Sequence, residues 1–252
     1  PFGKVGLAMI ANFYNFNLKT NGQRLEAVYT LKDMTWNDKI EKSYHGEYQD
    51  GIGVLDIERG VVDGIRPKPW QTDTCIGEWF YKKSARYKTD TTVIHMLIDI
   101  VSKNGNLLLN FPLRPDGTLD AEALAILQGI ADWMAVNGEA IYCTRPWKVF
   151  GEGSVMATGG HFNENSIDYT SMDFRFTTRG DFLYAFFMAW PEDGCLNVKS
   201  LAADGQNEKV ESVRLLGYTG ELDWVQSPEG LTVRLPEGRP CKAAWALKIR
   251  RC

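Results

Sequence analysis

The chain has 252 residues, enough for one large domain or two ordinary ones, and 44% of them are apolar, which argues against disorder. Lys and Arg total 28 against 32 Asp and Glu, and a net charge of -4 gives no electrostatic reason to expect nucleic acid or an anionic membrane as partner. No apolar run reaches the length of a membrane helix, since the longest, "FLYAFFMAW", ends at Pro191.

In chain order, the first element is a helix expected over 5–18, "VGLAMIANFYNFNL", from apolar side chains at helical spacing and the stop signal "TNG". The sequence starts "PFGKV" with no initiating Met, basic leader or cleavage pattern, and so reads as cut from something longer. "AVYTL" (27–31) and "IGVLDI" (52–57) read as strands. The segment "PWQTDTCIGEWFY" (69–81) shows neither helical nor strand periodicity and reads as a long loop rich in aromatics. "TTVIHMLIDIVSKNG" is expected to be a helix, with Asn104 and Gly105 suited to the left-handed conformation that ends it. A buried strand "NLLLNFPL" and a "PDG" turn follow. "LDAEALAILQGIADWMAVNG" is a second helix, with Thr118 as the expected N-cap and Gly138 just past its end.

After "TRPW" the texture changes to short alternating segments separated by turn residues, with hairpins expected at "TTRGD" and "SPEG". That pattern predicts an antiparallel β-sandwich over 149–252, able to fold by itself, after an α/β portion over 1–148. The α/β portion has three clear strands against the eight of a (β/α)8 barrel, so it is either a small open sheet or part of a larger barrel.

Chemistry-bearing residues are few. The five cysteines show no CxxC pair and no metal-ligand spacing with histidine, and one disulfide stays possible. His45, His95 and His161 share no triad or metal spacing, and His95 reads as a packed helix residue. No metal and no cofactor are expected. "GVLDIERG" (53–60) stands out because an apolar strand finishes on Asp56, Glu58 and Arg59. A carboxylate at a strand's C-terminal end is a candidate acid or base, with Gly60 permitting a sharp turn, and an ion pair capping the strand is the competing explanation. In the 69–81 segment, Trp70 and Trp79 are candidates to stack on the C–H face of a sugar, whereas Phe80 and Tyr81 are expected to pack on the fold. Asn110 reads as structural.

Taken together, "DIERG", "PWQTDTCIGEWFY", "DIVSKNGNLLLN", "DGT" and "NGEAIYCTRPW" resemble the retaining α-L-fucosidases of glycoside hydrolase family 29, in order over residues 1 to about 148. The resemblance implies the C-terminal part of a (β/α)8-like barrel followed by an antiparallel β-sandwich, cleavage of terminal α-L-fucose from a glycan by double displacement, and a periplasmic or extracellular setting. It makes Glu58 the catalytic acid/base and Trp79, Trp70 and Arg59 substrate-binding residues, with Trp79 against the fucose C5 methyl and Arg59 orienting the carboxylate or its loop. It also puts the aspartate nucleophile a few residues before Pro1, so that the chain alone would be inactive. A non-catalytic carbohydrate-binding module and a glycosidase of different sugar specificity are the alternatives.

Overall fold

The computed structural model describes residues 29–32, 53–155, 160–161, 167–203 and 209–252, so the helix expected over 5–18 and His45 lie outside the described residues. Strands β1 (Tyr29–Lys32), β2 (Gly53–Glu58), β4 (Trp70–Cys75) and β5 (Gly105–Asn110) form a parallel four-stranded sheet in that order. The short β3 (Gly60–Val61) pairs instead with β7 (Gly160–His161). Helices α1 (Asp90–Ser102) and α2 (Ala121–Asn137) flank β5 in sequence.

The expectation of a loop over 69–81 is wrong for its first half, because β4 lies between β2 and β5 and all six of its residues are buried. Its middle, "QTDT", carries no apolar signal, and the buried Gln71 and Thr72 side chains find partners within the sheet. Thr72 Oγ1 bonds to the Ile57 carbonyl at 2.6 Å, and Gln71 Nε2 donates to Asp56 Oδ1 at 3.1 Å. A buried polar group that is hydrogen-bonded avoids most of the desolvation cost.

Trp70 is also corrected. Its side chain has no exposed surface, packs with Ile57, Met96 and Ile100, and donates its indole N–H to the Lys103 carbonyl at 3.0 Å. An indole enclosed in this way has no face left for a sugar. The tight contact explains Gly105, where an added Cβ would sit 2.6 Å from both the Trp70 ring and Ile100 Cγ2. Gly105→Ala is expected to lower stability by about 1–3 kcal/mol, the usual cost of overpacking, read from urea unfolding. An unchanged midpoint would show that the ring gives way freely.

Helix α1 is capped by Thr89, whose hydroxyl accepts from Thr92 N at 3.1 Å, and it ends as expected at Asn104, with φ 72. The N-cap of α2 is Asp120 rather than Thr118, since its carboxylate accepts from Ala123 N at 2.8 Å. Thr118 belongs to the preceding turn, donating to Asp116 Oδ1 from both its amide and its hydroxyl. Gly138 keeps a right-handed backbone and starts a 3-10 turn over Gly138–Ala140.

The remaining strands are β6 (Arg145–Glu152), β8 (Phe174–Arg179), β9 (Phe182–Phe187), β10 (Cys195–Val198), β11 (Val210–Leu215), β12 (Asp223–Ser227), β13 (Gly230–Arg234) and β14 (Trp245–Arg251). They make a five-stranded sheet, β11-β14-β9-β8-β6, and a three-stranded sheet, β10-β13-β12. Both expected hairpins form, β8–β9 through Gly180 with φ 56 and β12–β13 closing on the pair Ser227 and Gly230. Between the two sheets lies a core that includes Phe174, Phe176, Phe187, Leu231, Val233 and Ile249.

The other face of the five-stranded sheet is also covered, because Tyr184, Phe186, Met188 and Ala246 pack with Ile94 and Ile98 of α1 and Trp133 of α2. Successive side chains of a strand point to opposite faces, so a strand covered on both reads as one continuous apolar run. This accounts for "FLYAFF" in β9. Strand β6 runs through residue 148, the boundary expected from sequence, and pairs Arg145 and Pro146 with β8.

Candidate active site

In a parallel sheet all strands end on the same edge, and here β2, β4 and β5 end on Glu58, Cys75 and Asn110. Asp56 and Glu58 are two apart on one strand and so share a face. The register sets Asp56 beside Gln71 and Glu58 beside Asp73. Asp56 is buried under its bond from Gln71 and serves the sheet, whereas Glu58, at the strand's end, is half-buried. Of the two carboxylates in "DIERG", only Glu58 reaches the sheet edge.

The loop that leaves β4 returns over this edge. Trp79 donates its indole N–H to Glu58 Oε1 at 3.0 Å, and its carbonyl accepts from Asn110 Nδ2 at 3.2 Å. Asn110 therefore pins the loop, which fits the structural reading of this residue. Trp79 is 37% exposed, leaving part of its ring open to a ligand, and Phe80 is 70% exposed, which overturns the expectation that Phe80 packs on the fold.

The sharp turn after β2 is made by Arg59, with φ 50, and not by Gly60, which begins β3. The Arg59 guanidinium donates to Cys75 Sγ at 2.9 Å and to the Gly77 carbonyl at 3.3 Å, with Cζ 5.4 Å from the Trp79 ring centroid. Cys75 and Gly77 were not singled out in the sequence. Nothing in their spacing could have marked them, because their role depends on a left-handed residue in the turn after another strand.

The base of the loop is fixed as well. Lys88 bonds to Ile76 O and Cys75 O at 2.7 and 2.6 Å, from its amide and its ammonium respectively. Tyr87 donates to Asp120 Oδ2 at 2.9 Å, and burial together with that carboxylate pushes its phenol up to about 12. Gly77 leaves room for the Tyr87 ring, which would lie 2.7 Å from an added Cβ.

The other sequence candidates lie elsewhere. His95 faces the five-stranded sheet, 3.1 Å from the Ala243 carbonyl and edge-on to Tyr169, and burial lowers its pKa. All five cysteines are thiols.

The C-terminal edge of the parallel sheet thus carries the Glu58 carboxyl group beside a partly open indole, at the edge where α/β-barrel enzymes hold their active sites. Two family models match the chain, "Alpha-L-fucosidase" over residues 12–139 and "Alpha-L-fucosidase C-terminal domain" over residues 166–250. The chain belongs to the α-L-fucosidase family of glycoside hydrolases. Among curated relatives it is 30% identical over 190 residues to tissue alpha-L-fucosidase of Rattus norvegicus, covering 71% of this chain and 37% of that protein. It is 30% identical over 200 residues to plasma alpha-L-fucosidase of Pongo abelii, covering 73% of this chain and 38% of that protein. The chain thus spans well under half the length of these relatives. Among solved structures, the alpha-fucosidase of Thermotoga maritima in complex with fucose aligns with a TM-score of 0.61 at 19% identity, over 84% of this chain and 47% of that one. A bacterial fucosidase with an iminocyclitol inhibitor aligns with a TM-score of 0.61 at 22% identity, over 81% of this chain and 46% of that one. At such identity the structures speak for the fold.

Proposed function

We propose that this chain is the acid/base-bearing portion of a retaining exo-α-L-fucosidase, with Glu58 as the acid/base. The observation that carries the reading is Glu58 at the end of β2, with an indole N–H 3.0 Å from one of its oxygens and that ring partly open beside it. Parallel strands in sequential order, flanked by helices, fit the last part of a (β/α)8 barrel.

In the first step an aspartate from the preceding segment attacks the fucose anomeric carbon while Glu58 gives its proton to the departing glycosidic oxygen. In the second step a water attacks the same carbon and Glu58 takes its proton, regenerating the acid. Retention requires the two carboxyl groups to stand about 5–5.5 Å apart, too close for a water to act as first nucleophile. The open part of the Trp79 ring offers an apolar surface to the fucose C5 methyl.

The test is stereochemical. NMR of an aryl α-L-fucoside hydrolysed by the full-length enzyme should show α-fucose as the first-formed anomer, before mutarotation. First-formed β-fucose would mean inversion and would sink the mechanism, and turnover of other aryl glycosides but not the fucoside would sink the specificity.

A further inference from the structure

Among the described residues at this sheet edge, Arg59 is the one left-handed non-glycine residue. The guanidinium reaches from the end of β2 to the end of β4, donating to Cys75 Sγ at 2.9 Å and to Gly77 O at 3.3 Å. The Cys75 thiol itself donates to Gly77 O at 2.8 Å, so three groups close into one small cluster. Above that cluster lies the Trp79 ring, 5.4 Å from Arg59 Cζ. From the far edge of the ring the indole N–H reaches Glu58 Oε1 at 3.0 Å. Backbone outliers for residues with a Cβ persist only where the surroundings hold them, and they cluster at working sites.

We propose that Arg59 is a positioning residue that sets the acid/base through Trp79, and is not a ligand of the sugar. Both bonds leave one guanidinium nitrogen, Nη2, and hold the group at the neighbouring strand end with Cζ 5.4 Å from the indole centroid, within cation–π range. With that cation against its ring and the Asn110 bond to its backbone carbonyl, Trp79 is held at both side chain and main chain. Its N–H then always engages the same oxygen of Glu58. An oxygen accepting that bond is the carbonyl-like one of the acid form, so the transferable proton resides on Oε2. Arg59 thereby decides which oxygen of Glu58 faces the leaving group. The proposal rests on Glu58 being the acid/base.

The test is a leaving-group series. Aryl α-L-fucosides from dinitrophenyl to unsubstituted phenyl are given to the full-length enzyme and to its Arg59→Met, Arg59→Lys and Glu58→Ala variants, with fucose as competitive inhibitor. An effective general acid flattens the dependence of kcat/KM on leaving-group pKa, because it supplies the proton that a poor leaving group lacks. Arg59→Met is expected to steepen that dependence. The phenyl fucoside should lose about 10²-fold, the cost of a misplaced catalytic group, while the dinitrophenyl fucoside and the fucose inhibition constant stay near the parent values. Retained dinitrophenyl activity certifies folding, and Arg59→Lys, which keeps the charge but not the planar guanidinium, should fall between. Equal losses across the series with weakened fucose inhibition would make Arg59 a sugar ligand and overturn the proposal. A parent-like slope in both Arg59 variants would overturn it too, leaving the acid/base reading intact. A parent-like slope in Glu58→Ala would instead overturn the acid/base reading, and the relay with it.

Discussion

Replacing Glu58 by alanine in the full-length enzyme is expected to slow hydrolysis of natural fucosides about 10²- to 10⁴-fold, the range that general acid–base catalysis supplies. The loss should depend on the leaving group. A sugar alkoxide departs poorly without a proton, so its fucoside suffers the whole loss in the first step. A dinitrophenolate departs unaided, so the first step survives and the fucosyl-enzyme accumulates, because the water of the second step still needs a base. Azide is already an anion and requires no deprotonation. It should restore turnover on the activated substrate and yield a fucosyl azide of retained, α configuration. A β-azide would show that a nucleophile had been removed instead. If Glu58 served only as an acceptor for Trp79, both substrates would slow equally, azide would rescue neither, and the melting temperature would register the lost bond, worth about 1 kcal/mol.

How far such a site can be read from sequence depends on what kind of signal each part leaves. The placement of Glu58 at a strand end is legible because a charged residue closing an apolar run is an exception to burial, and the helices α1 and α2 are legible because their periodicity is local. The strand β4 leaves no such trace. Its interior polar residues look like loop, and their burial is only made tolerable by β2 and β5, which are distant in sequence. Trp70 and Trp79 illustrate the same limit, being alike in type and nine residues apart while one closes the core and the other borders the site. Which tryptophan meets solvent depends on where β4 ends, and the sequence does not mark that end. The turn at Arg59 is hidden for a further reason. Composition points to Gly60 as the flexible residue, whereas the left-handed backbone falls on the arginine, held by contacts sixteen and eighteen residues away.

The largest effect on stability is expected at Asp99, on the buried side of α1. Its carboxylate meets Arg175 Nε of β8 at 2.6 Å and Lys103 Nζ at 2.8 Å, and all three side chains have no exposed surface. Further contacts enclose the cations. Arg175 also donates to the Phe174 and Val155 carbonyls at 2.9 and 3.0 Å, and both cations lie against the Phe150 ring. Asp99→Ala removes the carboxylate that two buried positive charges share, and breaking a buried ion pair in this way costs about 3–5 kcal/mol. The two cations can respond differently. Burial already holds the Lys103 ammonium below the usual lysine range despite the opposing pull of Asp99, so Lys103 can relieve the variant by releasing its proton. Arginine has no such exit. A folded-state lysine pKa below the unfolded value means the unfolded chain binds more protons between the two, so stability there rises with pH. Removing Asp99 widens that window downward, and the variant should regain part of its loss as pH is raised toward the ordinary lysine pKa. Arg175→Met combined with Asp99→Ala should recover more than half of the single-variant loss, since it removes the cation that cannot neutralise. Urea unfolding of the parent, the single and the double variants at two pH values checks each statement. A loss below about 1 kcal/mol in Asp99→Ala would place the cluster in the class of ion pairs that contribute little. The same cluster bears on residues 149–252 expressed alone, where Arg175 would lack Asp99 and the apolar face at Tyr184, Phe186 and Met188 would lack both helices. That segment is therefore expected to aggregate rather than to give a dispersed NMR spectrum, and a dispersed spectrum would show that α1 and α2 are dispensable to the sandwich.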